Sequence, residues 1–202
     1  PGDEVLLPCP YWVSYAEIIK LAEGVPVEVP SNIDTDFKVT AKELEIAITP
    51  NTKMLMFSSP CNPSGTVYTK SELEDIASML EKYPDIYIVS DEIYEHINFT
   101  KKHFSIGAIP SMIERTITVN GVSKGFAMTG WRVGFIGAPL WIAKACNKIQ
   151  GQITSATCAI AQKATERAML AEPKSTTKEM KNTFLKRRDM LIELLKDIPG
   201  II

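Results

Sequence analysis

The 202-residue sequence predicts an α/β fold, a three-layer sandwich in which a mostly parallel sheet lies between helices. Three observations carry that expectation. Apolar runs of strand length alternate with stretches of helical period, several of those runs are apolar without interruption, as in strands covered on both faces, and two of the intervening stretches open on a recognisable helix cap.

Taken in order, the strand candidates are residues 5–7, 25–29, 54–57, 86–89, 116–119 and 133–136. Between them, Thr40 with Glu43 in "TAKE" and Thr69 with Glu72 in "TKSE" match the capping box, in which hydroxyl and carboxylate satisfy each other's free amides at a helix start. Both stretches are read as crossover helices. After Pro139 the chain turns helical, over residues 141–149, then 156–170, then a charged amphipathic stretch over 174–196. A boundary near Glu172-Pro173 is expected to divide a large, incomplete α/β domain, residues 1–172, from a long helix, 173–202, leading toward a further domain.

Composition excludes several classes. With 22 basic against 24 acidic residues the formal charge is -2, and no basic stripe with interleaved aromatics marks a nucleic-acid surface. The four cysteines lie far apart, none in a CxxC pair or beside the two histidines at zinc spacing, so no metal is expected and the thiols read as reduced. No apolar run approaches the ~20 residues that cross a bilayer. A cytoplasmic protein without membrane or nucleic-acid partners is expected, and the abrupt ends at "PGDEVLLPCP" and "DIPGII" read as those of an excerpt from a longer chain.

In an open parallel sheet the ligand crevice lies beyond the carboxyl ends of the strands, so the polar residues just after each apolar run are the places to look. "MLMF" is followed by "SSPCNPSG", where two prolines and Gly65 make a rigid turn presenting Asn62, although Asn-Pro-x-Gly is also ordinary turn chemistry. "IYIVS" is followed by "DEIY". Asp91 there places a carboxylate at the sheet's rim, to hold a cation or to cap a helix, and Tyr94 either aims its phenol at the same point or packs in the core.

"TITV" is followed by "NGVSKGFAMTGWRVGF", which sets Lys124 among glycines and apolar residues, eight positions before Arg132. A lysine in such a place either reaches water or uses its nitrogen for chemistry, since a bare ammonium is costly to bury and a desolvated amine can form an imine with a carbonyl. The arginine fork suits a phosphate, and Gly125 and Gly130 let backbone approach a bulky anion. An amine, a carboxylate, a phenol, an amide and a guanidinium are together what pyridoxal 5'-phosphate requires.

"CNPSG", "SDEIY" and "SKGFAMTGWRVGF", in this order and at these distances, resemble the fold-type I pyridoxal-phosphate-dependent aminotransferases of class I, particularly the bacterial aspartate aminotransferase branch, over nearly the whole chain. The resemblance implies that Lys124 forms the imine and shuttles the proton, that Asp91 pairs with the ring nitrogen, and that Tyr94 and Asn62 contact the ring's phenolic oxygen. Arg132 matches the phosphate-binding arginine. Trp12, in "PYWVSY", matches the aromatic that stacks on the ring and shares the substrate site with Asn62; on residues alone it would be a core tryptophan at a helix start.

Many relatives carry a phosphate-binding serine three residues before the lysine, where this chain has Gly121 and offers Ser123 instead. The implied reaction moves an amino group from an L-amino acid, aspartate in this branch, to a 2-oxo acid such as 2-oxoglutarate, in a homodimer. The family's glycine-containing phosphate loop and a tyrosine from the partner subunit would precede Pro1, and the arginine for the substrate's alpha-carboxylate would follow Ile202, so the isolated piece is expected to be poorly active. The alternative is a ligand-sensing domain of this shape fused to a DNA-binding one.

Overall fold

In the computed structural model, which describes residues 1–100, 102–170 and 174–201, every apolar run nominated above is a strand. The strands are β1 (Glu4–Pro8), β2 (Val25–Val29), β3 (Thr52–Ser58), β4 (Tyr87–Asp91), β5 (Thr116–Gly121) and β6 (Gly134–Gly137). They form one sheet in the order β2-β1-β3-β4-β5-β6. β1 to β5 pair in parallel, and β6 runs antiparallel to β5, from Thr118 opposite Gly137 to Gly121 opposite Gly134.

Parallel neighbours need crossover connections. Helices supply the first three: α1 (Ser14–Leu21), α2 (Ala41–Ala47) and α3 (Lys70–Leu80). The chain steps one way from β1 to β2 and the other way from β2 to β3, and right-handed crossovers then put α1 and α2 on opposite faces of the sheet. Both capping boxes form. Thr40 N donates to Glu43 Oε2 at 2.7 Å while Thr40 Oγ1 accepts from Glu43 N at 3.3 Å, and Thr69 and Glu72 repeat the exchange at 2.6 and 3.3 Å. No capping signal announces α1, because its N-cap is Val13, which has no side-chain acceptor.

Alternation along the strands sorts the core into two layers. Leu6, Leu55, Phe57 and Ile88 pack against Leu44 of α2 and Leu73, Ile76 and Leu80 of α3. Val5, Leu7, Met54 and Met56 pack against Tyr15, Ala16 and Ile19 of α1. Each fully buried leucine or isoleucine contributes about 1.5–3 kcal/mol. Arg115, itself buried, reaches back to the end of α3, where Nη2 donates to Leu80 O at 2.8 Å and Nη1 to Tyr83 O at 2.7 Å, each a second donor to a carbonyl that already accepts from a backbone amide, Tyr83 N and Ile86 N respectively.

The face carrying α1 is only partly covered. α4 (Leu140–Ile153) meets the sheet through Trp141, which stands edge-on to Tyr87 at 5.7 Å, and α5 (Ala159–Leu170) through Ala161 against Val122 and Val133. Phe135 and Ile136 of β6 remain exposed, so continuous apolar character does not mean two-sided cover at that strand. α6 (Lys174–Leu195) follows; the expected boundary at Glu172-Pro173 lies outside the described residues. Among the described residues no helix is long and apolar enough to cross a membrane.

Candidate active site

Beyond the carboxyl ends of β3, β4 and β5, beside the segment leaving β1, lies a cavity of about 500 Å³. This is where an open parallel sheet forms its crevice, next to the place where the strand order reverses. Trp12, Asn62, Asp91, Tyr94, Ser123, Lys124 and Arg132, all nominated from the sequence, line it together. Tyr15, Ser58, Asn120 and Thr129 line it too and were not nominated.

Asp91 ends β4, and both its oxygens are held: Oδ2 accepts from the Tyr15 hydroxyl at 2.6 Å and Oδ1 from the Ile93 amide at 3.1 Å. The second bond is a local turn rather than a helix cap. Glu92, its neighbour in the acidic pair, goes the other way, as successive residues of an extended chain do. It is 3% exposed and accepts from Ser90 Oγ at 2.9 Å and Ser105 Oγ at 2.6 Å, with His103 Nε2 at 2.7 Å. Burial alone would lower the His103 pKa, but the Glu92 hydrogen bond and charge outweigh it and hold the imidazole above its ordinary value. For Tyr15, burial and then the adjacent Asp91 charge push the phenol far up, so it stays a donor.

The lysine loop follows from how β5 ends. Val122 is fully buried, and its carbonyl accepts from the amides of Phe126 and Met128, both at 3.3 Å, while Thr129 Oγ1 donates to Ser123 O at 2.9 Å. This tight loop carries Lys124, half-buried, with Nζ 5.6 Å from the centroid of the Tyr94 ring. Arg132 closes the next turn at a left-handed φ of 55°, uncommon for a residue with a side chain, and Nη1 donates to Thr129 O at 2.9 Å.

Gly121 is explained by packing. A Cβ there would lie 2.8 Å from Val133 O and 3.1 Å from Gly134 Cα, both backbone atoms, so a serine at this position does not fit this β5–β6 pairing without movement. Ser123 lines the cavity two residues on. Gly125 is similar: a Cβ would come within 2.5 Å of His96 Cδ2, whose ring stands edge-on to Phe126.

Asn62 sits in a turn closed by Gly65 N to Cys61 O and Cys61 N to Thr66 O, with Gly65 at φ 73° as the turn requires. Just before it, Ser58 Oγ is buried without a partner. Trp12 is 43% exposed and stands edge-on to Tyr15 at 5.6 Å, so it is a cavity wall and not a core residue. Ser58 and Asn120 both occupy strand ends, where the strand-end rule alone would have found them. Tyr15 follows Trp12 by three residues across the turn that leads into α1, where Tyr15 N donates to Trp12 O at 2.9 Å.

Comparison with known proteins bears on this crevice. The chain belongs to the family described as aminotransferase class I and II, whose profile matches residues 1–202. It is 43% identical over 203 residues to the aspartate/prephenate aminotransferase of Cereibacter sphaeroides, a match covering 100% of this chain and 50% of that protein. Among solved structures, the aspartate aminotransferase from Rhizobium meliloti superposes with a TM-score of 0.94 at 40% identity, over 99% of this chain and 50% of that one. The aromatic aminotransferase from Pyrococcus horikoshii gives 0.94 at 41%, over 98% and 53%. The chain thus spans about half the length of the relatives it matches.

Proposed function

We propose that the protein is a pyridoxal-phosphate-dependent aminotransferase, moving an amino group from an L-amino acid, aspartate, to a 2-oxo acid, 2-oxoglutarate, as a cytoplasmic homodimer. The observation that carries the reading is that one cavity, at the carboxyl end of a parallel sheet, gathers Lys124, Asp91 and Arg132. The relatives' names, aspartate/prephenate and aspartate aminotransferase, support aspartate as donor. Apolar side chains left exposed on α4, among them Leu140, Ile149 and Ile153, support a covered subunit face.

The donor set fits the cofactor. The cavity is of the size that takes a small molecule, and it holds a carboxylate together with an amine and a guanidinium. Bound pyridoxal phosphate supplies a ring that draws electron density from the substrate's alpha-carbon. Lys124 would hold the cofactor through Nζ and move a proton at that atom. Asp91, oriented by its two donors, would hold a proton on the ring nitrogen. Tyr94 and Asn62 would donate to the ring oxygen, Trp12 would cover the ring face, and Arg132, with Ser123 near it, would bind the phosphate.

The test uses the full gene product, incubated with pyridoxal phosphate, treated with borohydride and digested for mass spectrometry. The cofactor is expected on Lys124, and Lys124→Ala is expected to lose both the adduct and aspartate-to-2-oxoglutarate turnover. Sustained turnover in that variant would sink the assignment.

A further inference from the structure

We propose that Tyr15 is a positioning residue for this site, joining the wall that covers the cofactor ring to the acid that faces its nitrogen. The inference rests on the aminotransferase reading above. Tyr15 is 6% exposed in the first turns of α1, its ring meets Trp12 edge-on at 5.6 Å and 88°, and its hydroxyl donates to Asp91 Oδ2 at 2.6 Å. With Oδ1 held by the Ile93 amide at 3.1 Å, the carboxylate is fixed against rotation from both sides. One oxygen is held by the loop that Asp91 itself begins, and the other by a helix on the far side of the crevice, 76 positions away in the chain.

Two consequences act in the same direction. A donor on a carboxylate favours its charged form, so the proton shared with a facing ring nitrogen stays on the nitrogen. A carboxylate that cannot rotate keeps an oxygen aimed into the cavity, where alignment governs how much a charged pair is worth. The phenol performs this over the whole working range of pH, because burial and the neighbouring charge keep it protonated. The edge-on contact adds that a shift of Tyr15 also moves Trp12, so ring cover and nitrogen anchor move together.

The experiment compares wild type, Tyr15→Phe and Tyr15→4-aminophenylalanine in the full gene product, each loaded with pyridoxal phosphate labelled with ¹⁵N in the ring. The ¹⁵N shift reports the ring nitrogen's protonation, which loss of packing alone would not move. Tyr15→Phe is expected to increase the unprotonated fraction about tenfold and to lower kcat by a similar factor, with KM changed less. The amino variant retains an N–H at the same reach and is expected to restore most of both. Unchanged ¹⁵N shift and kcat in Tyr15→Phe overturn the positioning role, as does failure of the amino variant to restore either while it folds and binds cofactor. Should wild type itself take up no cofactor on Lys124, the aminotransferase reading is what fails, so the two failures are told apart.

Discussion

Replacing Gly121 by alanine adds one methyl group where the structure has no room for it. The new Cβ would sit 2.8 Å from Val133 O, about 0.7 Å inside the ~3.5 Å at which nonbonded heavy atoms rest, and 3.1 Å from Gly134 Cα. Neither neighbour can swing aside, because both are backbone at the β5–β6 pairing of Gly121 with Gly134. Overpacking of this kind costs about 1–3 kcal/mol, and the stiffer unfolded chain returns about 0.4–1 kcal/mol, leaving a net loss of about 1–2 kcal/mol. With a urea slope near ~2 kcal/mol per molar, the midpoint should fall by about 0.5–1 M at unchanged slope.

The displacement should also reach the site. Gly121 lies three residues before Lys124, and its partner Gly134 two residues after Arg132. Cofactor affinity, titrated by equilibrium dialysis, is therefore expected to fall about tenfold, since misplacements well under 1 Å already weaken aligned contacts. Gly121→Ser should behave like Gly121→Ala. An unchanged midpoint and affinity in Gly121→Ala, or tighter binding in Gly121→Ser, would show that the backbone yields and that the packing argument is mistaken.

Arg115→Met keeps the stem and removes the second donors to Leu80 O and Tyr83 O, so unfolding in urea should show a loss of about 1–3 kcal/mol; a loss near zero would mean that the backbone amides already on those carbonyls suffice. His103→Gln can still donate to Glu92 but cannot take up a proton. Because the folded pKa of His103 is raised, its extra stability is fully present below the unfolded value of about 6.5 and is lost as pH rises through the higher folded value. The wild-type advantage over His103→Gln should therefore be largest in mildly acidic solution and shrink above neutrality, and a difference flat with pH would refute the coupling.

Much of the architecture is legible in the sequence. The six strands, the two capped helices and the helical stretch after Pro139 announce themselves through side-chain period, turn residues and spacings within four positions, all of them short-range effects of sterics and hydrogen bonding. The candidate site was open to the same reading because Asp91 ends a strand and Asn62 and Lys124 each lie just past one, where the chain's own order places them on the crevice side.

Other features lie beyond any local rule. Which of Asp91 and Glu92 enters the cavity is a matter of strand register, and position 121 is closed to a side chain by a carbonyl in the neighbouring strand. Arg115 looks like a surface charge until α3 folds back to meet it, and Tyr15 looks like a core aromatic until β4 brings Asp91 to its hydroxyl. Backbone period and caps depend on neighbours along the chain, whereas these contacts depend on distances between elements that only packing of the sheet and helices creates.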